Sequence, residues 1–114
     1  MGMKESPLFT HTYNFVLWLL PQAIKFPRQY RFTLAERVQR HTLDFQETII
    51  AAGLKRGTSR AEHLQKADAL LAQLRHTVRL CKDLKLITLR QYEFAAEHLA
   101  EIGRLLGGWL KAAN

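Results

Sequence analysis

Leu64, Ala67, Leu71, Leu74, Val78 and Cys81 follow one another at alternating steps of three and four residues. An α-helix turns once every 3.6 residues, so this spacing draws one apolar stripe along one side of a helix. Sustained over several turns, it is the seam of a left-handed helical bundle. The same pattern occurs twice more, in Ala35, Val38, Thr42, Phe45, Ile49 and Ala52, and in Tyr92, Ala95, Leu99, Ile102, Leu106 and Trp109. No segment alternates with the period of two that a half-buried strand requires. The chain is therefore expected to be all-α.

Breaks between the seams predict four helices, at about 7–24, 28–52, 60–84 and 89–110. Ser6-Pro7 opens the first, with serine as N-cap and proline at the first helical position. Phe26-Pro27 forms a corner, because a residue before proline avoids the α region. Gly53 is expected to stop the second helix, with Gly57 just beyond. Ser59-Arg60-Ala61-Glu62 and Thr88-Leu89-Arg90-Gln91 read as capping boxes that open the third and fourth helices. Short corners make successive helices antiparallel neighbours. The expectation over residues 1–114 is a single domain, an antiparallel up-down-up-down four-helix bundle.

The first helix is apolar nearly all round. Phe9, Tyr13, Val16, Leu17 and Leu20 make one face; Phe15, Trp18 and Leu19 make much of the other. Such a helix must be covered on both sides, and a lone bundle leaves one side to water. Phe15, Trp18 and Leu19 are thus expected in a subunit interface of a homo-oligomer. Burial by the chain's own tails is the alternative.

Catalytic and metal-binding constellations are missing. No glutamate is followed three residues later by histidine, as carboxylate-bridged di-iron bundles require. There is no H-E-x-x-H, cysteine pair, phosphate-cradling glycine loop or dinucleotide fingerprint. His11, His41, His63, His76 and His98 are scattered singly. The chain is expected to be no enzyme, with no metal and no cofactor. Cys81 lies in the third seam and reads as a small buried hydrophobe in a reducing, cytoplasmic setting. The longest apolar run, Phe15 to Leu20, is far short of a membrane span, so no membrane association is expected. Met1-Gly2-Met3-Lys4-Glu5-Ser6 formally matches a myristoylation motif; Gly2 reads rather as a cloning remnant before a start at Met3.

Charge is the chief functional signal. Seventeen Lys and Arg against 10 Asp and Glu give a net +7, which suggests an anionic partner, nucleic acid first. Arg75, Arg79 and Lys82 form a stripe on the third helix, opposite Glu93, Glu97 and Glu101 on the fourth. The stripe is either a binding surface or the basic half of two ion pairs, Arg79–Glu93 and Arg75–Glu97. Arg40, flanked by Glu36 and Asp44, reads as an intrahelical ion-pair residue. Lys25, Arg28 and Arg31 surround the first corner; Lys82, Lys85 and Arg90 surround the third. The topology places both corners at one end, with Asp83 as the sole acid. Phe26, Tyr30, Phe32 and Tyr92 are interleaved there. They could stack on unpaired bases, but corner packing is the favoured reading, above all for Phe26 and Phe32. Lys55, Arg56 and Arg60 occupy the other pole.

Two stretches carry a family resemblance. One is Leu8-Phe9-Thr10-His11-Thr12-Tyr13-Asn14-Phe15-Val16-Leu17-Trp18-Leu19-Leu20-Pro21, with Lys25-Phe26-Pro27-Arg28 and Arg31-Phe32-Thr33-Leu34-Ala35-Glu36-Arg37 after it. The other is Asp83-Leu84-Lys85-Leu86-Ile87, Arg90-Gln91-Tyr92-Glu93 and Ile102-Gly103-Arg104-Leu105-Leu106-Gly107-Gly108-Trp109. The chain resembles the accessory variability determinant (Avd) proteins of diversity-generating retroelements, relatives of the four-helix proteins encoded in ribosomal RNA intervening sequences. The resemblance implies a homopentameric barrel of four-helix bundles. It also implies binding to a reverse transcriptase and to template RNA, with DNA as a further candidate, in support of mutagenic cDNA synthesis. The basic residues within its motifs are Lys25, Arg28, Arg31, Arg37 and Lys85. The alternative is an intervening-sequence type of bundle with a structural or oligomerisation role.

Overall fold

The computed structural model describes residues 6–113; all of the myristoylation-like motif but Ser6 lies outside them. Four α-helices are present: α1 (Pro7–Ile24), α2 (Glu36–Leu54), α3 (Gly57–Asp83) and α4 (Leu89–Ala113). Each packs against two neighbours, α1 and α3 both lying between α2 and α4. The molecule measures 43 × 24 × 19 Å. Its long axis matches the ~40 Å that the 27 residues of α3 span at 1.5 Å per residue.

All three seams face inward. Leu64, Ala67, Leu71, Leu74, Val78 and Cys81 are at most 2% exposed, and Ala95, Leu99, Ile102 and Leu106 on α4 at most 3%. Thr42 occupies a seam position because its hydroxyl donates to the Val38 carbonyl at 2.6 Å, which removes the cost of burying it. Cys81 is buried, and desolvation pushes its thiol up to about 11.

The corners differ from expectation in three places. Residues 28–35 are not regular α-helix: a 3-10 turn (Arg28–Tyr30) leads into a π-helical turn (Arg31–Ala35). The seam of α2, continued back four residues from Ala35, would bury Arg31. A π turn holds more residues than an α turn, so it shifts the phase and leaves Arg31 exposed. Second, Gly53 lies inside α2, which ends at Leu54. Third, α3 starts at Gly57, so Ser59-Arg60-Ala61-Glu62 lies within its first turns and is no capping box. Gly57 has φ +56, a value open to glycine, and reverses the chain early. Arg60 then reaches back: its guanidinium donates to the carbonyls of Ala52, Gly53 and Lys55 at 2.9–3.3 Å, and lies 5.5 Å from the Trp109 ring centroid. A cation there satisfies orphan carbonyls and suits the negative end of the α2 dipole. The second box does form. The Thr88 amide donates to Gln91 Oε1 at 2.8 Å, and the Gln91 amide donates to Thr88 Oγ1 at 3.0 Å.

The proposed interface on the first helix is corrected. Phe15 and Leu19 are 2% exposed within the single chain and belong to its core. Trp18 is half-buried, 4.6 Å from Phe94 and 6.0 Å from Phe15 between ring centroids, in an aromatic cluster joining α1 to α4. The outward stripe is instead Tyr13, Leu17, Leu20 and Ile24, itself spaced four, three, four; Tyr13, Leu17 and Ile24 are 56, 57 and 73% exposed. Every residue in both stripes is apolar or aromatic except Thr12, so hydrophobicity alone did not say which stripe faces in.

Candidate nucleic-acid interface

The first and third corners meet at one pole. The Gln91 side-chain amide on α4 donates to Gln22 Oε1 on α1 at 3.3 Å, which ties the end of one helix to the start of the other. At this pole α3 closes in a Schellman turn: the Leu86 amide donates to the Cys81 carbonyl at 2.8 Å, and the Lys85 amide to the Lys82 carbonyl at 2.9 Å. The residue between must be left-handed, and here it is Lys85, with φ +63, where glycine is usual. The turn thrusts the Lys85 side chain into solvent at the tip of the corner.

Lys25, Arg28, Arg31, Lys85 and Arg90 are exposed, and none makes an ion pair among the described residues. Arg37, the second residue of α2, is likewise exposed and unpaired among them. Asp83 neutralises little of this pole, because it is shared by Lys82 at 3.3 Å and Arg79 at 4.0 Å. Lys82 is further held over the Tyr92 ring, 4.6 Å from its centroid.

The stripe on α3 does not form the ion pairs expected as its structural alternative: Arg79–Glu93 and Arg75–Glu97 do not pair within 4.0 Å. Arg75 instead lies across α4 and donates to the Leu99 carbonyl at 3.2 Å. Gly103 makes this approach possible, since a Cβ there would lie 2.1 Å from an Arg75 terminal nitrogen. Arg75, His76, Arg79 and Tyr92 line a shallow cavity of about 180 Å³ in the α3–α4 groove. Arg40 pairs with Glu36 at 2.9 Å, in the first turns of α2.

The aromatic residues divide. Phe26, Tyr30 and Tyr92 are half-buried at the corners. Phe32 is 84% exposed, against the expectation of corner packing. The π turn carries it there, on the same five residues as Arg31. Sequence reasoning missed this because Phe32 lies one position beyond the back-projected seam, and an ordinary helix would have kept it near the core edge. Ile24 and Leu89, 73 and 64% exposed, complete a pole that is basic and apolar together. Among the described residues, no group of three or more His, Cys, Asp or Glu side chains is placed to hold a metal ion, and no helix is long and apolar enough to cross a membrane.

The family model described as bAvd-like matches residues 8–113. This chain belongs to that family. It is thus an Avd-type protein, as the residues around the two corners implied. Among solved structures, the chain is similar to a protein of unknown function from the S23 ribosomal protein family of Bacteroides thetaiotaomicron. The identity is 17%, the match covers 91% of this chain and 95% of that one, and the TM-score is 0.83. At that identity the likeness establishes the four-helix fold alone. No curated protein matches the sequence.

Proposed function

We propose that this Avd-type protein is a non-catalytic accessory subunit of a diversity-generating retroelement, acting in the cytoplasm on the element's reverse transcriptase and template RNA. The observation that carries the reading is the cluster of Lys25, Arg28, Arg31, Lys85 and Arg90, exposed at one pole with no acidic partner among the described residues. Cations without an acidic partner give up no ion pair when they bind phosphates, and each phosphate neutralised releases counterions. Arg37 extends the surface along α2. Arg75, Arg79 and Lys82, already engaged within the chain, make a weaker second track. Binding is then led by the RNA backbone, strongly salt-dependent and weakly sequence-specific, with DNA a further candidate.

Changing Lys25, Arg28, Lys85 and Arg90 to Glu tests this directly. RNA affinity at near-physiological salt is expected to collapse, and the dependence of log affinity on log salt to flatten by about 0.7 per lost contact. Unchanged affinity and slope would place the binding surface elsewhere. Copurification with the adjacent reverse transcriptase tests the partner.

The outward stripe Tyr13, Leu17, Leu20 and Ile24 supports a homo-oligomer, for which the family resemblance suggests a pentamer. It also favours a second reading, an oligomerisation module whose charge only aids solubility. That reading requires assembly without RNA binding, and the charge-reversed protein separates the two.

A further inference from the structure

A cavity of about 390 Å³ opens at the first corner, lined by Ala23, Ile24, Phe26, Arg28, Arg31, Ala35 and Gln39. It falls within the ~300–1,000 Å³ range of small-molecule pockets. Ala23 and Ala35, 1 and 5% exposed, contribute only methyl groups to the lining, and Arg31 and Ala35 are the first and last residues of the π turn.

The lining has a defined chemistry. Phe26 and Ile24 give apolar walls. Gln39, half-buried, is the one uncharged hydrogen-bonding side chain in the lining, and its amide makes no hydrogen bond among the described residues. An amide offers a donor and an acceptor side by side, the complement of a nucleobase edge. Arg28 and Arg31 also line the cavity, and both lie exposed on the unpaired basic surface.

The geometry points to a nucleotide subsite: the base of an unpaired residue enters this cavity, Gln39 hydrogen-bonds its edge, and Arg28 and Arg31 hold the flanking phosphates. The assignment rests on the basic pole being the RNA-binding surface and adds a preference that charge alone does not give. Duplex RNA offers the same phosphates but keeps its bases stacked, and extracting one costs a few kcal/mol. The pole therefore selects single-stranded over duplex RNA. An acidic or phosphorylated peptide would use the arginines but has no need of the amide between the apolar walls.

The test compares an unstructured single-stranded RNA with a blunt duplex of equal phosphate number, by fluorescence anisotropy across a salt series. The proteins are the full chain, Gln39→Leu, Ala35→Leu and the Glu-substituted pole. Ala35→Leu fills the cavity; Gln39→Leu keeps the side chain's size and removes its hydrogen bonds, and remains informative should the first variant fold poorly. Each folded cavity variant is expected to lose about tenfold in single-strand affinity, with the salt slope and duplex affinity unchanged. The Gln39 side-chain amide resonances should shift when the single strand is added. If the charge-reversed pole abolishes binding while both folded cavity variants bind single strands normally, the subsite is wrong and the basic pole stands. If charge reversal itself has no effect, the pole reading fails first. Displacement of RNA by a phosphorylated peptide, with no response of the Gln39 resonances to RNA, would also overturn the subsite.

Discussion

Lys85 carries a backbone conformation that costs a non-glycine residue roughly 1–2 kcal/mol, at the position where it also offers an unpaired charge. The two properties oppose each other. Lys85→Gly should raise stability by about 0.5–1 kcal/mol in urea unfolding, while lowering RNA affinity and the salt slope by about one phosphate contact. A variant that gains stability and loses no affinity would remove Lys85 from the interface. His41 sets a pH dependence. Burial first, then the charges of Arg40 and Arg37, hold it below its usual 6.5, with Asp44 and Glu36 opposing. Its ring lies 3.4 Å from Thr77 Oγ1 on α3. The folded state therefore binds this proton less readily than the unfolded chain. Its neutral form is fully compatible with folding above about pH 6.5; as pH falls below that, the unfolded chain takes up the proton first and stability drops. The loss levels off once the folded protein also protonates. The drop in urea midpoint between pH 8 and pH 5 should be smaller in His41→Gln; an equal drop would assign the pH dependence to other groups.

At the scale of elements, the two serine/threonine motifs separate a helix start from its imitation. Thr88 and Gln91 exchange two hydrogen bonds at the head of α4, so Thr88→Ala should cost about 1 kcal/mol. Ser59 lies inside α3, with only its backbone carbonyl engaged, by His63 Nδ1 at 2.7 Å. Ser59→Ala should stay within about 0.5 kcal/mol of the parent. Equal losses in the two variants, measured by chemical denaturation, would mean that α3 begins at Ser59 in solution. Both motifs satisfy the same local pattern. What distinguishes them is the corner before each: a proline-free, two-residue extended link ending in left-handed Gly57 lets α3 start early, whereas the Schellman turn at Lys85 fixes where α4 begins. The π turn makes the same point. Phe32 and Arg31 read as a corner from composition, yet their exposure comes from a phase shift that no local propensity encodes.

For the whole molecule, one helix faces two environments. Leu8, Phe15 and Leu19 on α1 are closed into the core, while Tyr13 and Leu17 remain more than half exposed. Tyr13 borders a cavity of about 500 Å³ between α1 and α2, lined also by Phe9, Ile49 and Ile50 among others. The hydroxyl of Thr12, buried at its edge, makes no hydrogen bond among the described residues. Covering this surface with a second copy would remove several large apolar side chains from water, at about 1.5–3 kcal/mol each when fully buried. Replacing Tyr13 and Leu17 by Glu should lower the mass found by size exclusion with light scattering and leave helix content unchanged. A parent protein that runs as a monomer, or a double variant of undiminished mass, would rule out this face. The stripe reaches the basic pole at Ile24, but Tyr13 and Leu17 lie at least ~10 Å farther along α1, so replacing them is expected to weaken assembly and spare RNA binding.

The seams and the Thr88 box were legible in the sequence because apolar periodicity and capping chemistry are local: residues three and four apart must share a helix face whatever surrounds them. The family followed from the motifs at the two corners, and so did the basic residues gathered there. Which stripe of α1 turns inward was not legible, since both are apolar and only the position of α2 and α4 selects between them. Nor was the fate of each arginine. Arg75 and Arg60 read as surface charge, but one crosses to a carbonyl on α4 over Gly103 and the other closes the end of α2 against Trp109. Long flexible side chains find partners across helix boundaries, and those partners exist only once the helices have packed. The tertiary structure thereby decided which cations remain unpaired, and so where the proposed phosphate-binding surface lies.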